Sequence, residues 1–208
     1  MLLAYTGTPG SGKSYHAVKE IWDRIKYGHP VITNIELNVP DKYKPYYHYY
    51  DVHDITPQML EQFSNEYKVQ HNISRVREEY IYLVIDEAQL VFNCREWSQK
   101  GRADWVSFFT RHRKYGYHII LITQMVKMLD NQCRGLLEYE VLHRKFSSFG
   151  LKGLVLSLAL LSPTLFACVR LWAPINEKID SEVIRYSGRI GRLYNTAQTY
   201  EKETPVEP

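Results

Sequence analysis

The chain has 208 residues, 45% of them hydrophobic and 24% charged, with a formal net charge of +3. This composition excludes a disordered or low-complexity chain, leaves room for one sizeable core, and permits an anionic partner without requiring one. The cysteines, Cys94, Cys133 and Cys168, are odd in number, far apart and without zinc-ligand spacing, which fits a reducing compartment.

The first apolar run, Leu2-Leu3-Ala4-Tyr5, reads as a short buried strand. It ends at Gly7 with no charged leader or cleavage site, so no signal peptide is expected. Then comes "GTPGSGKS": Gly7, four residues, and Gly12-Lys13-Ser14, the spacing of a phosphate-binding P-loop. Ala17, Val18, Ile21, Trp22 and Ile25 recur at helical spacing behind it, with Lys26 in the last turn and Gly28 as the C-cap. A strand before and a helix after is the context this motif needs. Glycines let successive N–H groups converge, and the helix N-terminus adds positive potential. Gly7, Thr8, Pro9, Gly10, Ser11, Gly12, Lys13, Ser14 and Tyr15 are therefore assigned to nucleotide binding. Lys13 would reach the β- and γ-phosphates and the Ser14 hydroxyl would ligate Mg2+. The competing reading is a flexible Gly-Ser turn before an ordinary helix.

Pro30 to Ile35 predicts a second strand. The tyrosine-rich "YKPYYHYY", Tyr43 to Tyr50, has two readings: rings beside Lys42 and Lys44 that stack on bases, or an edge strand or loop that packs its rings on the sheet. The second is preferred. Thr56-Pro57 reads as an N-cap followed by an N1 proline, opening a helix to about Lys68.

"YIYLVIDE", Tyr80 to Glu87, is a near-continuous apolar run, the mark of a strand covered on both faces. In a doubly wound sheet ligands gather at the carboxyl ends of strands, so Asp86 and Glu87 read as a Walker B pair. Asp86 would hold Mg2+, and Glu87 would orient and deprotonate the attacking water. The alternative is a solvated acidic turn. Further on, about Ala103 to Tyr115 predicts a helix with Val106 and Phe109 toward the sheet, ended by Gly116. His118 to Ile122 predicts another buried strand, and Gln124 beyond it is the candidate γ-phosphate sensor, or else a strand-end amide capping a loop. Arg111, Arg113 and Lys114 form a basic cluster with three open readings: a solvated face, an arginine offered to a neighbouring subunit's ATP, or contacts to nucleic-acid phosphates. Together these elements predict an α/β P-loop NTPase with a mostly parallel sheet sandwiched by helices.

In their order, "GTPGSGKS", "VITNIEL", "YLVIDEAQLVFNCREW" (with Arg95 and Trp97) and "FTRHRKYGYHIILITQ" resemble the zonular occludens toxin family, which includes the assembly ATPases of filamentous bacteriophages. The resemblance covers about residues 1 to 145 and returns at "RIGRLYNTAQTYE", Arg189 to Glu201. It implies ATP rather than GTP as the nucleotide and a homo-oligomeric ring such as a hexamer. It also implies a cytosolic domain facing the host cytoplasm at the inner membrane. Its work would be extrusion of single-stranded-DNA phage as coat protein replaces packaging protein. The family's extracytoplasmic tail, to which toxin activity is attributed, has no counterpart before Pro208, so no toxin activity is carried over. Either the chain is a piece of a longer protein or its anchor lies elsewhere.

The uncharged run Leu154 to Val169 has 16 residues and a proline, Pro163, at its middle. A membrane span needs about 20, so buried strand and helix segments are preferred to a span. One domain over 1–200 is expected, with a core over about 1–145, an extension over about 146–200 and a disordered tail over 201–208. Three functions compete with the phage-assembly motor: a small-molecule kinase, a nucleotide-dependent membrane scaffold or switch, and a DNA-translocating ATPase outside phage assembly. The glutamate beside Asp86 favours water over a kinase acceptor.

Overall fold

The computed structural model describes residues 1–93, 101–146 and 164–194. In chain order the elements are β1 (Leu2–Thr6), α1 (Lys13–Lys26), β2 (Val31–Thr33), β3 (Tyr47–Tyr49), α2 (Pro57–Gln70), β4 (Ile81–Ile85), α3 (Arg102–Arg111), β5 (Tyr117–Ile122), α4 (Asn131–Gly135), β6 (Tyr139–Lys145), β7 (Leu165–Trp172), β8 (Glu177–Arg185) and α5 (Gly188–Gly191). The strands form a single sheet in the order β3-β2-β4-β5-β1-β6-β7-β8. From β3 to β6 all neighbours are parallel. β6, β7 and β8 continue the sheet antiparallel.

The side-chain period of two builds a core on each face. Leu2 and Ala4 of β1 join Leu83, Ile85, Ile119 and Leu121 under α2 and α3, where Phe92, Trp105, Phe108 and Phe109 pack. Leu3 and Tyr5 point the other way, with Val84, Ile120 and Ile122, against Ala17, Val18, Ile21, Trp22 and Ile25 of α1. Each fully buried Ile, Leu or Val side chain contributes about 1.5–3 kcal/mol. These central strands are buried at every position, which is why they read as unbroken apolar runs rather than alternating ones.

The expected helix over 103–115 is shorter. α3 stops at Arg111 and a 3-10 turn over His112–Tyr115 leads to Gly116, which ends it with φ of 79°. Phe109 faces the core as expected, but its companions are Trp105 and Phe108, with Val106 only half-buried. Thr56 caps α2 by accepting from the Met59 N–H at 3.2 Å, with Pro57 at the first helical position. The tyrosine-rich segment forms a 3-10 turn and the edge strand β3. Tyr47 Oη donates to the Ile35 carbonyl at 2.5 Å and accepts from the Leu37 N–H at 2.9 Å, and Tyr43 lies edge-on to Trp22. Tyr46 and Tyr49 remain exposed.

The last residues of the Leu154–Val169 run lie in β7, a strand, which continues past Val169 to Trp172. The first part of that run, with its expected helix, lies outside the described residues, as do Cys94, Arg95, Trp97 and the 201–208 tail. Among the described residues no helix is long and apolar enough to cross a membrane. The chain after β8 returns to the α1 face, where Leu193 and Tyr194 pack and the Asn38 N–H donates to the Leu193 carbonyl at 3.0 Å.

Candidate functional site

The P-loop leaves the carboxyl end of β1 and runs into α1, whose first helical residue is Lys13. Gly7, Gly10 and Gly12 have φ of 141°, 73° and 98°. Two of them also face walls that leave no room for a side chain. A Cβ on Gly7 would stand 2.5 Å from the His143 carbonyl oxygen, and one on Gly12 would stand 2.5 Å from the Phe166 ring. The loop is thus moulded on β6 and β7 as well as by its own glycines. The first-turn N–H groups of α1 have no intrahelical acceptor and point out of the helix end, where an anion is favoured.

Lys13 Nζ bridges the loop, donating to the Gly7 carbonyl at 2.7 Å and the Thr8 carbonyl at 3.2 Å. Burial lowers its ammonium from the usual lysine value, with the Asp86 and Glu87 carboxylates pulling the other way. Ser14 Oγ donates to Asp86 Oδ2 at 2.9 Å, which joins the two motifs across 72 residues of sequence. Burial raises the Asp86 carboxyl above the usual range. The Ser14 hydroxyl and the Glu87 N–H oppose that, the Glu87 carboxylate adds to it and Lys13 offsets it. A hydroxyl and a half-buried carboxylate side by side, both hard oxygen donors, fit Mg2+.

Glu87 stands just past β4 in the left-handed conformation, with φ of 50°, and its N–H donates to Asp86 Oδ1 at 2.9 Å. This turn exposes the carboxylate, which accepts from Gln89 Nε2. β5 lies between β4 and β1, so the residues after it emerge between Asp86 and the P-loop. There the Gly7 N–H donates to the Gln124 carbonyl at 3.1 Å, which fixes Gln124 beside the loop with its side chain exposed.

Other expected residues stand elsewhere. Tyr15 turns its side chain away from the loop. Its hydroxyl donates to the Arg185 carbonyl at 3.2 Å and accepts from the Ser187 N–H at 2.7 Å. What it offers a phosphate is its backbone N–H. Arg111 is held by Glu61 at 3.2 Å, and Arg113 pairs with Glu138. Glu138 Oε1 accepts from the Leu2 N–H, so Arg113 lies at the amino end of β1, across the sheet from the phosphate loop. Asn34 was read only as part of a strand. Its amide clasps the backbone of Asp86 from both sides, Nδ2 donating to the Asp86 carbonyl at 3.0 Å and Oδ1 accepting from the Asp86 N–H at 2.7 Å. A polar residue closing the apolar run "VIT" is the signal that would have found it.

The family model described as zonular occludens toxin (Zot) matches residues 1–199. The chain belongs to the Zot family. Among curated relatives, the Gene 1 protein of Enterobacteria phage M13 is 29% identical over 148 residues, 66% of this chain and 40% of the relative. That of Salmonella phage IKe is 29% identical over 146 residues, with 66% and 38% covered. The chain thus spans about two fifths of the length of these relatives. Among solved structures, the N-terminal domain of zonular occludens toxin from Neisseria meningitidis superposes with a TM-score of 0.55 at 21% identity, covering 93% of this chain and 98% of that one. The genome packaging NTPase B204 of Sulfolobus turreted icosahedral virus 2, in complex with ATP-gammaS, superposes with a TM-score of 0.51 at 17% identity, covering 88% and 96%. These likenesses establish the P-loop NTPase fold expected of this Zot-family chain.

Proposed function

We propose that this chain is the ATP-hydrolysing module of a filamentous-phage assembly motor. The observation that carries the reading is the Ser14–Asp86 contact at 2.9 Å, with Glu87 adjacent to it. Ser14 and Asp86 would hold Mg2+, which when bound offsets the charge of the phosphates. ATP entering the loop would draw Lys13 Nζ off the Gly7 and Thr8 carbonyls and onto the β- and γ-phosphate oxygens, trading two neutral acceptors for anionic ones. The glycine-shaped backbone and the first-turn N–H groups of α1 would cradle the same oxygens. Glu87 would take the proton of the attacking water, and Gln124 would read the presence of the γ-phosphate. The kinship with phage Gene 1 proteins and the fold shared with a genome packaging NTPase support a motor rather than a metabolic enzyme.

On this reading the chain works as a homo-oligomeric ring such as a hexamer at the cytoplasmic face of the host inner membrane. Coat or packaging proteins and single-stranded DNA would be its partners. Arg111 or Arg113 then serves a neighbour's ATP, because neither faces its own loop. ATP turnover measured against protein concentration, with Glu87→Gln as control, tests this. Turnover that rises steeply with concentration, disappears in Glu87→Gln and falls in Arg111→Ala or Arg113→Ala at unchanged nucleotide affinity supports the shared-site motor. One observation favours a nucleotide-gated switch as the second reading: Gln89 already holds the Glu87 carboxylate. Tight ATP binding without turnover at any concentration, unlocked in Gln89→Ala, supports that one.

A further inference from the structure

Behind the phosphate loop, on the hairpin side, three side chains meet that the hydrolytic chemistry does not use. His16 lies in the first turns of α1, His143 on β6 and Cys168 on β7, and all three are buried. Their ligating atoms lie within 4.8 Å of one another. His16 Nδ1 stands 2.9 Å from His143 Nε2 and 3.8 Å from Cys168 Sγ. The strand register assembles most of the group, since His143 pairs with Cys168 across β6–β7 and Cys168 pairs with Glu182 across β7–β8. Directly paired residues share a face of the sheet.

The outer nitrogens of both imidazoles face oxygen atoms. His143 Nδ1 has the Val141 carbonyl at 2.9 Å and the Thr6 carbonyl at 3.2 Å. Carbonyls only accept, so Nδ1 carries the proton and Nε2 is a lone pair. His16 Nε2 faces Glu182 Oε1 at 3.6 Å; a proton moved there leaves Nδ1 as a lone pair too, whereas a proton on Nδ1 is donated to His143 Nε2. The inner nitrogens, 2.9 Å apart beside a thiol, share one proton when His16 carries it on Nδ1 and stand open to one cation when His16 carries it on Nε2. A tetrahedral ion with bonds of about 2.0–2.1 Å to nitrogen and 2.3 Å to sulfur sets its ligand atoms roughly 3.3–3.6 Å apart. The observed separations bracket that range. A carbonyl behind one imidazole and a carboxylate behind the other is also how metal-binding histidines are oriented.

We propose that His16, His143 and Cys168 form a Zn2+ site, with Glu182 and the Val141 carbonyl orienting its histidines. Imidazole and thiolate together select a borderline-soft ion over Mg2+, so this site is distinct from the Ser14–Asp86 pair. Binding forms a Zn–S bond and two Zn–N bonds and releases the thiol proton to solvent. Burial keeps both imidazoles neutral, pushing His16 down to about 3 and His143 to about 4, and it pushes the Cys168 thiol up to about 12, so the ion has to displace that proton. The ion would pin the β6–β7 pair to α1 directly beside Gly7 and Gly12, bracing the loop from behind.

Co2+ is the probe. The full chain, freed of metal by a chelator and held in excess Mg2+, is titrated with Co2+ while its near-ultraviolet absorption is recorded. The expected result is a saturable thiolate-to-cobalt band that Zn2+ displaces, that Cys168→Ser removes and that Cys133→Ser leaves. Glu182 is exposed, so Glu182→Gln should fold normally yet weaken Zn2+ binding by roughly 10–100-fold. A folded wild-type chain that gives no such band overturns the proposal. So does a band that survives Cys168→Ser, or a Zn2+ affinity indifferent to Glu182→Gln.

Discussion

The two halves of the sheet are built on different principles. From β3 to β1 the strands run parallel and the central ones are buried on both faces, with the site residues strung at their carboxyl ends in short contiguous motifs. From β6 to β8 the strands are antiparallel and one-sided. In β6 only Val141 and His143 are buried, and in β8 only Ile184. The parallel half thus displays its chemistry in loops that strands merely deliver. The antiparallel half gathers chemistry from side chains within the strands, and its register decides what meets. The halves join along the β1–β6 ladder, and just beyond its end Gly7 and Gly12 rest on His143 and Phe166.

The sharpest test of the parallel half is Glu87→Gln. Turnover should fall roughly 10²–10⁴-fold while nucleotide affinity is kept, read by phosphate release beside a fluorescent-nucleotide titration. Phe166→Ala probes the seam. It should cost about 3–5 kcal/mol in denaturant unfolding and weaken nucleotide binding as well. Unchanged nucleotide affinity would break the link between the halves. His118 gives a pH signature to the parallel half alone. Burial first, then the amino terminus, Arg24 and His112, push it down from 6.5 to about 3, with Glu138 opposing. Glu79 stands 3.9 Å away. Because the folded value is the depressed one, its contribution is fully present above pH 6.5 and is lost as pH falls toward 3. A loss on the order of 2 kcal/mol by about pH 4.5 is expected from His118, and His118→Phe should remove that share of the slope while leaving the share that His16 and His143 carry. The smallest effect is Asn34→Ala, about 1–2 kcal/mol of stability from releasing the Asp86 backbone. A fall in turnover beyond that would show that Asp86 must be held still.

The parallel half was legible because its signals are local. Strand, glycine loop and helix follow one another within the first 26 residues, and "YIYLVIDE" states burial and acidity in eight letters. The contact of Ser14 with Asp86 followed once the carboxyl ends of β1 and β4 were placed on the same edge of the sheet. The antiparallel half hid its content because register, not spacing, brings its residues together. His16 and His143 are 127 positions apart, and cysteine spacing carries no sign of Cys168 meeting two imidazoles through the sheet. Spacing is equally silent on where the Tyr15 side chain goes: its ring packs on Phe166 and Tyr186.

The Asn34 clasp has a consequence for how this site tolerates drift. The ladder between β2 and β4 ends at Thr33 opposite Val84, and Asp86 lies beyond it. The amide of Asn34 supplies the missing rung with a side chain, imitating one more residue of backbone. Position 34 is therefore bound to a group that can both donate and accept, and Asn34→Asp, nearly identical in shape, would set a carboxylate oxygen against the Asp86 carbonyl, acceptor against acceptor. A relative that lengthened its second strand by one residue could dispense with the asparagine altogether and hold the same acid in the same place.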